Sequence, residues 1–185
     1  MQEKELLILL ENDSDAGMRR LMQTYAGLVM SVVRAKLPPH LFCDADIEDC
    51  VAQTFSEFYC DLDKYTPEKG SIRSLLCVMA RNNAADILRR RYKEHQNVSI
   101  DDESCDWCEE FLSYDGGFEN ADNRQALTAA VLQLGEPDKE IIIRKFYLGE
   151  NSKAIAKKVG LTVSNVDTRA HRALAKLRSI LGGNE

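Results

Sequence analysis

Ser164, Asn165, Thr168, Arg169 and Arg172 lie within nine residues near the C-terminal end. At 100° per residue they point away from an apolar stripe of Val166, Ala170, Ala173, Leu174 and Leu177. A helix that buries one face and offers amide, hydroxyl and guanidinium groups on the other suits a DNA major groove. Arg169 and Arg172 have the chemistry for phosphate or guanine, and Asn165 for adenine. Ser164 and Thr168 suit phosphate better. His171 reads as phosphate-facing or merely exposed rather than catalytic.

The helix carrying these groups needs a partner to brace it. The preceding residues supply Ile155, Ala156 and Val159 at helical spacing, then Gly160 at a position that wants a left-handed backbone. Thr162 follows as a hydroxyl N-cap. Lys153 to Arg178 is therefore expected to form two helices joined by a tight turn.

Two further constellations carry charge. Asp46, Asp49, Gln53 and Glu57 share one face of a helix whose other face holds Ile47, Val51, Phe55, Phe58 and Leu62. That face is either solvated or a docking stripe for a basic partner. Arg89, Arg90, Arg91 and Lys93 end another helix, with Arg73 and Arg81 upstream and Asp86 as the opposing acid. The helix dipole suits one or two such cations better than four, and although their angles fan round the helix, several of them have the chemistry for phosphate neutralisation. On the same helix Asn82 and Asn83 have hydrogen-bonding groups for base edges, although Asn83 equally suits the core. Tyr65 stands just before this helix, as a helix-end core residue or as the wall of a pocket.

Cys105-Asp106-Trp107-Cys108 is a CxxC without a second ligand pair, since no other CxxC or HxxxH is present. No metal and no cofactor are expected. No Ser/His/Asp constellation for catalysis is evident, so an enzyme is not expected either.

The 185 residues carry a net charge of −6, which seems wrong for a nucleic-acid binder. Its distribution resolves the conflict. Residues 1–94 hold 13 basic and 15 acidic side chains, residues 95–122 none and 9, and residues 123–185 hold 11 and 6. The acid is concentrated in one segment and the C-terminal part is basic. Local sign governs attraction to phosphate. No run of about 18 apolar residues exists, so no membrane insertion is expected. The opening MQEKELLILLEND is too short and acidic for a secretion signal. The expected location is cytoplasmic.

Only helical periodicity is present, which predicts an all-α protein. Leu21, Tyr25, Leu28, Val29, Val32 and Val33 form one amphipathic helix ending near Pro38 and Pro39. Ile47 to Leu62 gives a second, and Ile72 to Ile87, just after Gly70 and Ser71, a third. These make an N-terminal helical domain, 1–94. Residues 95–122 lack Lys and Arg, contain Gly116-Gly117, and read as a flexible acidic linker. Residues 123–185 form a four-helix domain, with Pro137 at the first position of the helix of Ile141, Ile142, Phe146 and Tyr147.

Three segments together resemble bacterial RNA polymerase sigma factors of the extracytoplasmic-function type. DIEDCVAQTFSEFY, from Asp46, resembles the helix of the second conserved region that grips the polymerase clamp. GSIRSLLCVMARNNAADILRRR, from Gly70, resembles the helix that reads the −10 promoter element. LTVSNVDTRAHRALAKLR resembles the part of the fourth conserved region that reads the −35 element. Ala154-Ile155-Ala156 stands where the family usually carries Glu-Ile-Ala.

The resemblance implies a promoter-specificity factor that binds core RNA polymerase and promoter DNA. Asp46, Asp49, Gln53 and Glu57 would dock on the polymerase. Tyr65, Arg73, Arg81, Asn82, Asn83, Arg89, Arg90 and Arg91 would serve −10 binding and melting. Thr162, Ser164, Asn165, Thr168, Arg169, His171 and Arg172 would serve −35 binding. The family captures an unstacked base of the −10 element, and Tyr65 with the loop after it is the candidate pocket wall. In this family the linker threads toward the polymerase channels, where its negative charge can mimic nucleic acid. An anti-sigma factor that clamps both domains is a further partner the family often has. The rival expectation is a stand-alone helix-turn-helix regulator acting on operators without polymerase.

Overall fold

The computed structural model describes residues 3–39, 41–98 and 121–182, with side chains at 3–39, 41–94 and 125–182. Residues 99–120, most of the expected linker and the whole CxxC, lie outside the described residues. The chain folds as two compact units, Met1–Ile87 and Leu88–Glu185. The described residues form helices and turns with no strand among them, as the all-α expectation required. None of their helices is long and apolar enough to cross a membrane.

The first unit opens with α1, Glu3–Asn12, and α2, Ser14–Arg34. Asp13 separates them, and its Oδ1 accepts from Ala16 N at 3.0 Å, capping α2. The two helices approach backbone to backbone because position 17 is glycine. A Cβ there would lie 2.6 Å from the Leu10 Cα. Leu6 and Leu10 bury the inner face of α1. This helix was not anticipated, although Leu6 and Leu10 at i, i+4 followed by Asp13-Ser14 are its signature in the sequence.

Next comes α3, Asp44–Cys60. Its N-terminus is closed by Asp46, whose Oδ2 accepts from Cys43 N at 2.9 Å. Ile47, Val51, Phe55 and Phe58 are buried as expected. Leu62 does not extend the helix. The chain leaves it at Asp61, and Leu62–Lys64 forms a 3₁₀ turn. A second 3₁₀ turn, Pro67–Lys69, starts on proline and ends at Gly70, φ 148°, ψ 168°. A backbone of this kind is open essentially to glycine alone. Then α4, Ile72–Val98, begins, with Ile72, Leu76, Ala80 and Ala84 buried. It continues past Glu94, where the apolar pattern ends.

The second unit takes the last turns of α4, then α5, Ala121–Leu132, and α6, Asp138–Ile142, which widens into a π turn, Ile143–Tyr147. Pro137, expected at the first helical position, instead caps α6, so the helix starts one residue later. The last two helices are α7, Ser152–Val159, and α8, Val163–Ile180. Ile141, Ile155, Ala156, Val166 and Ala170 form the core, with Val159 and Leu161 packed against it. Polar groups brace the same unit. Arg144, 6% exposed, pairs with Glu140 and Glu150. Its guanidinium also lies 5.3 Å from the centre of the Tyr92 ring. The Tyr92 hydroxyl donates to Glu140 Oε2 at 2.6 Å.

Candidate nucleic-acid interface

The α7–α8 pair has the three local features its sequence demands. Asn151 Oδ1 accepts from Ala154 N at 2.9 Å and starts α7. Gly160 ends it with φ 68° and ψ 30°, a left-handed conformation that costs an L-residue roughly 1–2 kcal/mol. Thr162 Oγ1 accepts from Asn165 N at 3.2 Å and starts α8.

Two ion pairs hold α8 to its neighbours. Asp167 Oδ1 accepts from Lys145 Nζ and from Ser152 Oγ, each at 2.6 Å. The Lys145 bond, then the Ser152 bond, hold the Asp167 carboxyl below its ordinary value. Arg169 Nε contacts Asp138 Oδ1 at 2.6 Å. Arg169 is half-buried and engaged with α6, whereas Ser164, Asn165, Thr168, His171 and Arg172 are exposed, as is Thr162 at the cap. Of the seven residues proposed from sequence for this face, six stand open and one serves as a brace.

In the first unit the loop between α3 and α4 forms a pocket of about 270 Å³ lined by Lys64, Tyr65, Thr66, Lys69, Gly70, Ser71, Ser74, Leu75 and Val78. Drug-sized ligands use roughly 300–1,000 Å³, so this space is at the small end of ligand sites. Tyr65 is part of its wall and at the same time packs toward the core. The Tyr65 hydroxyl donates to Gly70 O at 2.9 Å, and its ring lies 6.2 Å from that of Phe58. Burial first, then the Glu3 carboxylate, push its phenol above the ordinary value. Two lysines and two serine hydroxyls line the same space. The sequence pointed to Tyr65 and the loop after it; Lys64 before it, and Ser74, Leu75 and Val78 on the first turns of α4, are the wall residues it did not point to.

Arg73, Arg81 and Asn82 are exposed on α4. Asn83 turns inward, where its Nδ2 donates to Glu57 Oε2 at 2.8 Å and lies 3.3 Å from Thr54 Oγ1. Arg89, Arg90 and Arg91 belong to the second unit. Arg90 is exposed, while Arg89 Nε donates to Leu148 O at 2.9 Å. On α3, Asp49 and Gln53 are exposed and Asp46 and Glu57 half-buried. Asp46 is occupied in capping, and Gln53 Nε2 donates to Glu57 Oε1 at 2.8 Å. No cluster of metal ligands is found among the described residues.

Two family models match these two sets of helices. Residues 21–94 match "Sigma-70 region 2" and residues 124–177 match "Sigma-70, region 4". The chain belongs to the sigma-70 family. Its pairing of region 2 with region 4 is the hallmark of sigma factors of the extracytoplasmic-function type. Such a factor binds core RNA polymerase and directs promoter recognition and transcription initiation. The region 2 match disfavours the rival expectation of a stand-alone operator-binding regulator.

Among solved structures the chain is similar to CnrH in a complex with the cytosolic domain of CnrY. Identity is 19%, coverage 97% of each chain, and the TM-score 0.40. It is also similar to the sigma factor RpoE of Bartonella quintana in a co-crystal with the anti-sigma factor NepR. There identity is 17%, coverage 90% of this chain and 98% of that one, and the TM-score 0.38. Among curated proteins no match is found. Within the sigma factor, α7 and most of α8 lie in region 4, and α3 and most of α4 lie in region 2.

Proposed function

We propose that this sigma factor divides its work among three surfaces. The outer face of α8, with Thr162, Ser164, Asn165, Thr168, His171 and Arg172, meets the −35 duplex. Asp49 and Gln53, with Glu57 behind them, present the acidic face of α3 to a basic surface on core polymerase. The pocket at Tyr65 takes one unstacked base of the −10 element, and Arg73, Arg81 and Asn82 track the strand beside it. Flipping a base costs a few kcal/mol of stacking and pairing, offset by contacts in the pocket. The observation that carries this reading is the pocket itself. It is a space of about 270 Å³ with Tyr65, Lys64 and Lys69 among its lining residues, placed in the loop that leads into α4.

The protein acts without catalysis of its own; sigma factors are non-enzymatic recognition subunits, and the polymerase supplies the chemistry. Its place of work is the cytoplasm, with the polymerase. An anti-sigma factor is the further partner this reading admits.

Filling the pocket tests the proposal. Ser74 is exposed and lines the space. Holoenzyme carrying Ser74→Trp is expected to bind −35 duplex normally but to lose permanganate-reactive melting at −10. Unchanged melting would overturn the base-pocket reading.

A further inference from the structure

We infer that Glu3 is a positioning residue for the −10 loop, an inference that rests on the base-pocket reading above. Its carboxylate reaches both ends of the pocket-forming segment. Glu3 Oε1 accepts from Ile72 N at 3.1 Å, a bond spanning 69 positions of sequence. Its Oε2 lies 3.5 Å from the Tyr65 hydroxyl, which in turn donates to Gly70 O at 2.9 Å.

The segment between those ends is shaped mainly by local hydrogen bonds within the loop. Neither 3₁₀ turn buries a side chain, and Gly70 sits in a conformation open essentially to glycine. Segments with few buried apolar contacts open locally at low cost. Their geometry then depends on hydrogen bonds, and those to a charged acceptor are the stronger kind. Ser71 Oγ accepts from Ser74 N at 3.1 Å and so caps α4 from inside the loop. Glu3 supplies an anchor from outside it, for an N–H at the first helical position that has no acceptor within its own helix.

The anchor is fixed in its turn by the α1–α2 contact. Leu6 and Leu10 are each 2% exposed, and Gly17 allows the close approach of α2 to the Leu10 backbone. The region 2 match begins at residue 21, so α1 lies outside the matched segment. The brace on the −10 loop is therefore supplied from ahead of the matched segment. A loop held in its binding shape before the base arrives loses less conformational freedom on capture.

The test uses holoenzyme assembled with core polymerase. The probe is the −10 non-template strand of a promoter selected by wild-type holoenzyme from a randomised pool. The same strand with an abasic site at each position in turn measures the base-specific part of the affinity. Glu3→Ala is expected to lower base-over-abasic discrimination roughly tenfold at one position, with core affinity and −35 duplex binding unchanged. Glu3→Gln, whose carboxamide oxygen still accepts from Ile72 N, is expected to restore most of it. A Glu3→Ala protein that melts at lower temperature yet discriminates like wild type would overturn the inference. If wild type itself discriminates at no position, the base-pocket reading fails, and this inference with it.

Discussion

Asn83 on α4 donates from Nδ2 to Glu57 Oε2 on α3 at 2.8 Å. The bond ties the helix proposed to dock on polymerase to the helix proposed to follow the −10 strand. It also engages the Asn83 amide nitrogen, which lies within 3.3 Å of Thr54 Oγ1 as well. Replacing Asn83 with Leu would leave a half-buried carboxylate without that donor. The expected cost is about 1–3 kcal/mol of unfolding free energy. Urea denaturation is the check, with the midpoint falling and the slope unchanged.

Asp49 is exposed in the middle of the acidic face of α3. Asp49→Arg is expected to weaken core-polymerase binding about tenfold at moderate salt, mainly through slower association. The difference should shrink as salt is raised, because exposed charges are screened. Equal affinities for wild type and variant at moderate salt would remove this face from the polymerase interface.

Arg172 and Arg169 are three residues apart on α8 and should respond differently to truncation. Arg172 is exposed, whereas Arg169 is paired with Asp138 at 2.6 Å. Arg172→Ala is expected to reduce −35-dependent promoter binding by the equivalent of about 1–3 kcal/mol if it reads guanine. If it contacts phosphate, the loss is uniform across sequences and the salt slope falls by about one. Arg169→Ala should instead lower the melting temperature slightly, with a smaller direct effect on DNA. Binding titrations at several salt concentrations, together with thermal melts, separate these outcomes.

Cys50 is fully buried, and burial, reinforced by Glu57, pushes its thiol up to about 11 from the ordinary 9.0. The folded protein therefore holds this proton more tightly than the unfolded chain. Its contribution to stability is complete below pH 9 and is lost as pH rises from about 9 through about 11. Compared with Cys50→Ala, wild type should show the steeper fall in unfolding free energy over that window. At pH 8 a thiol reagent should label the exposed Cys43 and Cys60 quickly and Cys50 only on unfolding.

The helices and the apolar faces that build them were legible in the sequence because periodicity records burial. The turn at Gly160 and the cap at Thr162 were legible for a similar reason: each is a local demand met by a particular residue type. What stayed hidden depends on contacts between distant segments. Helical angle places Arg169 outward, and only the position of Asp138 on α6 reveals it as a brace. The angle of Asp46 assigns it to the acidic face, yet its carboxylate is drawn to Cys43 N. Nothing near Glu3 in the sequence points to Ile72. The pocket at Tyr65 required two 3₁₀ turns and the unusual backbone of Gly70, which composition alone does not disclose.

Two helical units let this chain direct core polymerase to promoters. Multiple-round run-off transcription on a randomised promoter library, with core polymerase alone and with the protein added, tests it most directly. The expected result is initiation that depends on the protein, from templates that share two separated sequence blocks. Transcripts of equal number and start site with and without the protein would contradict it.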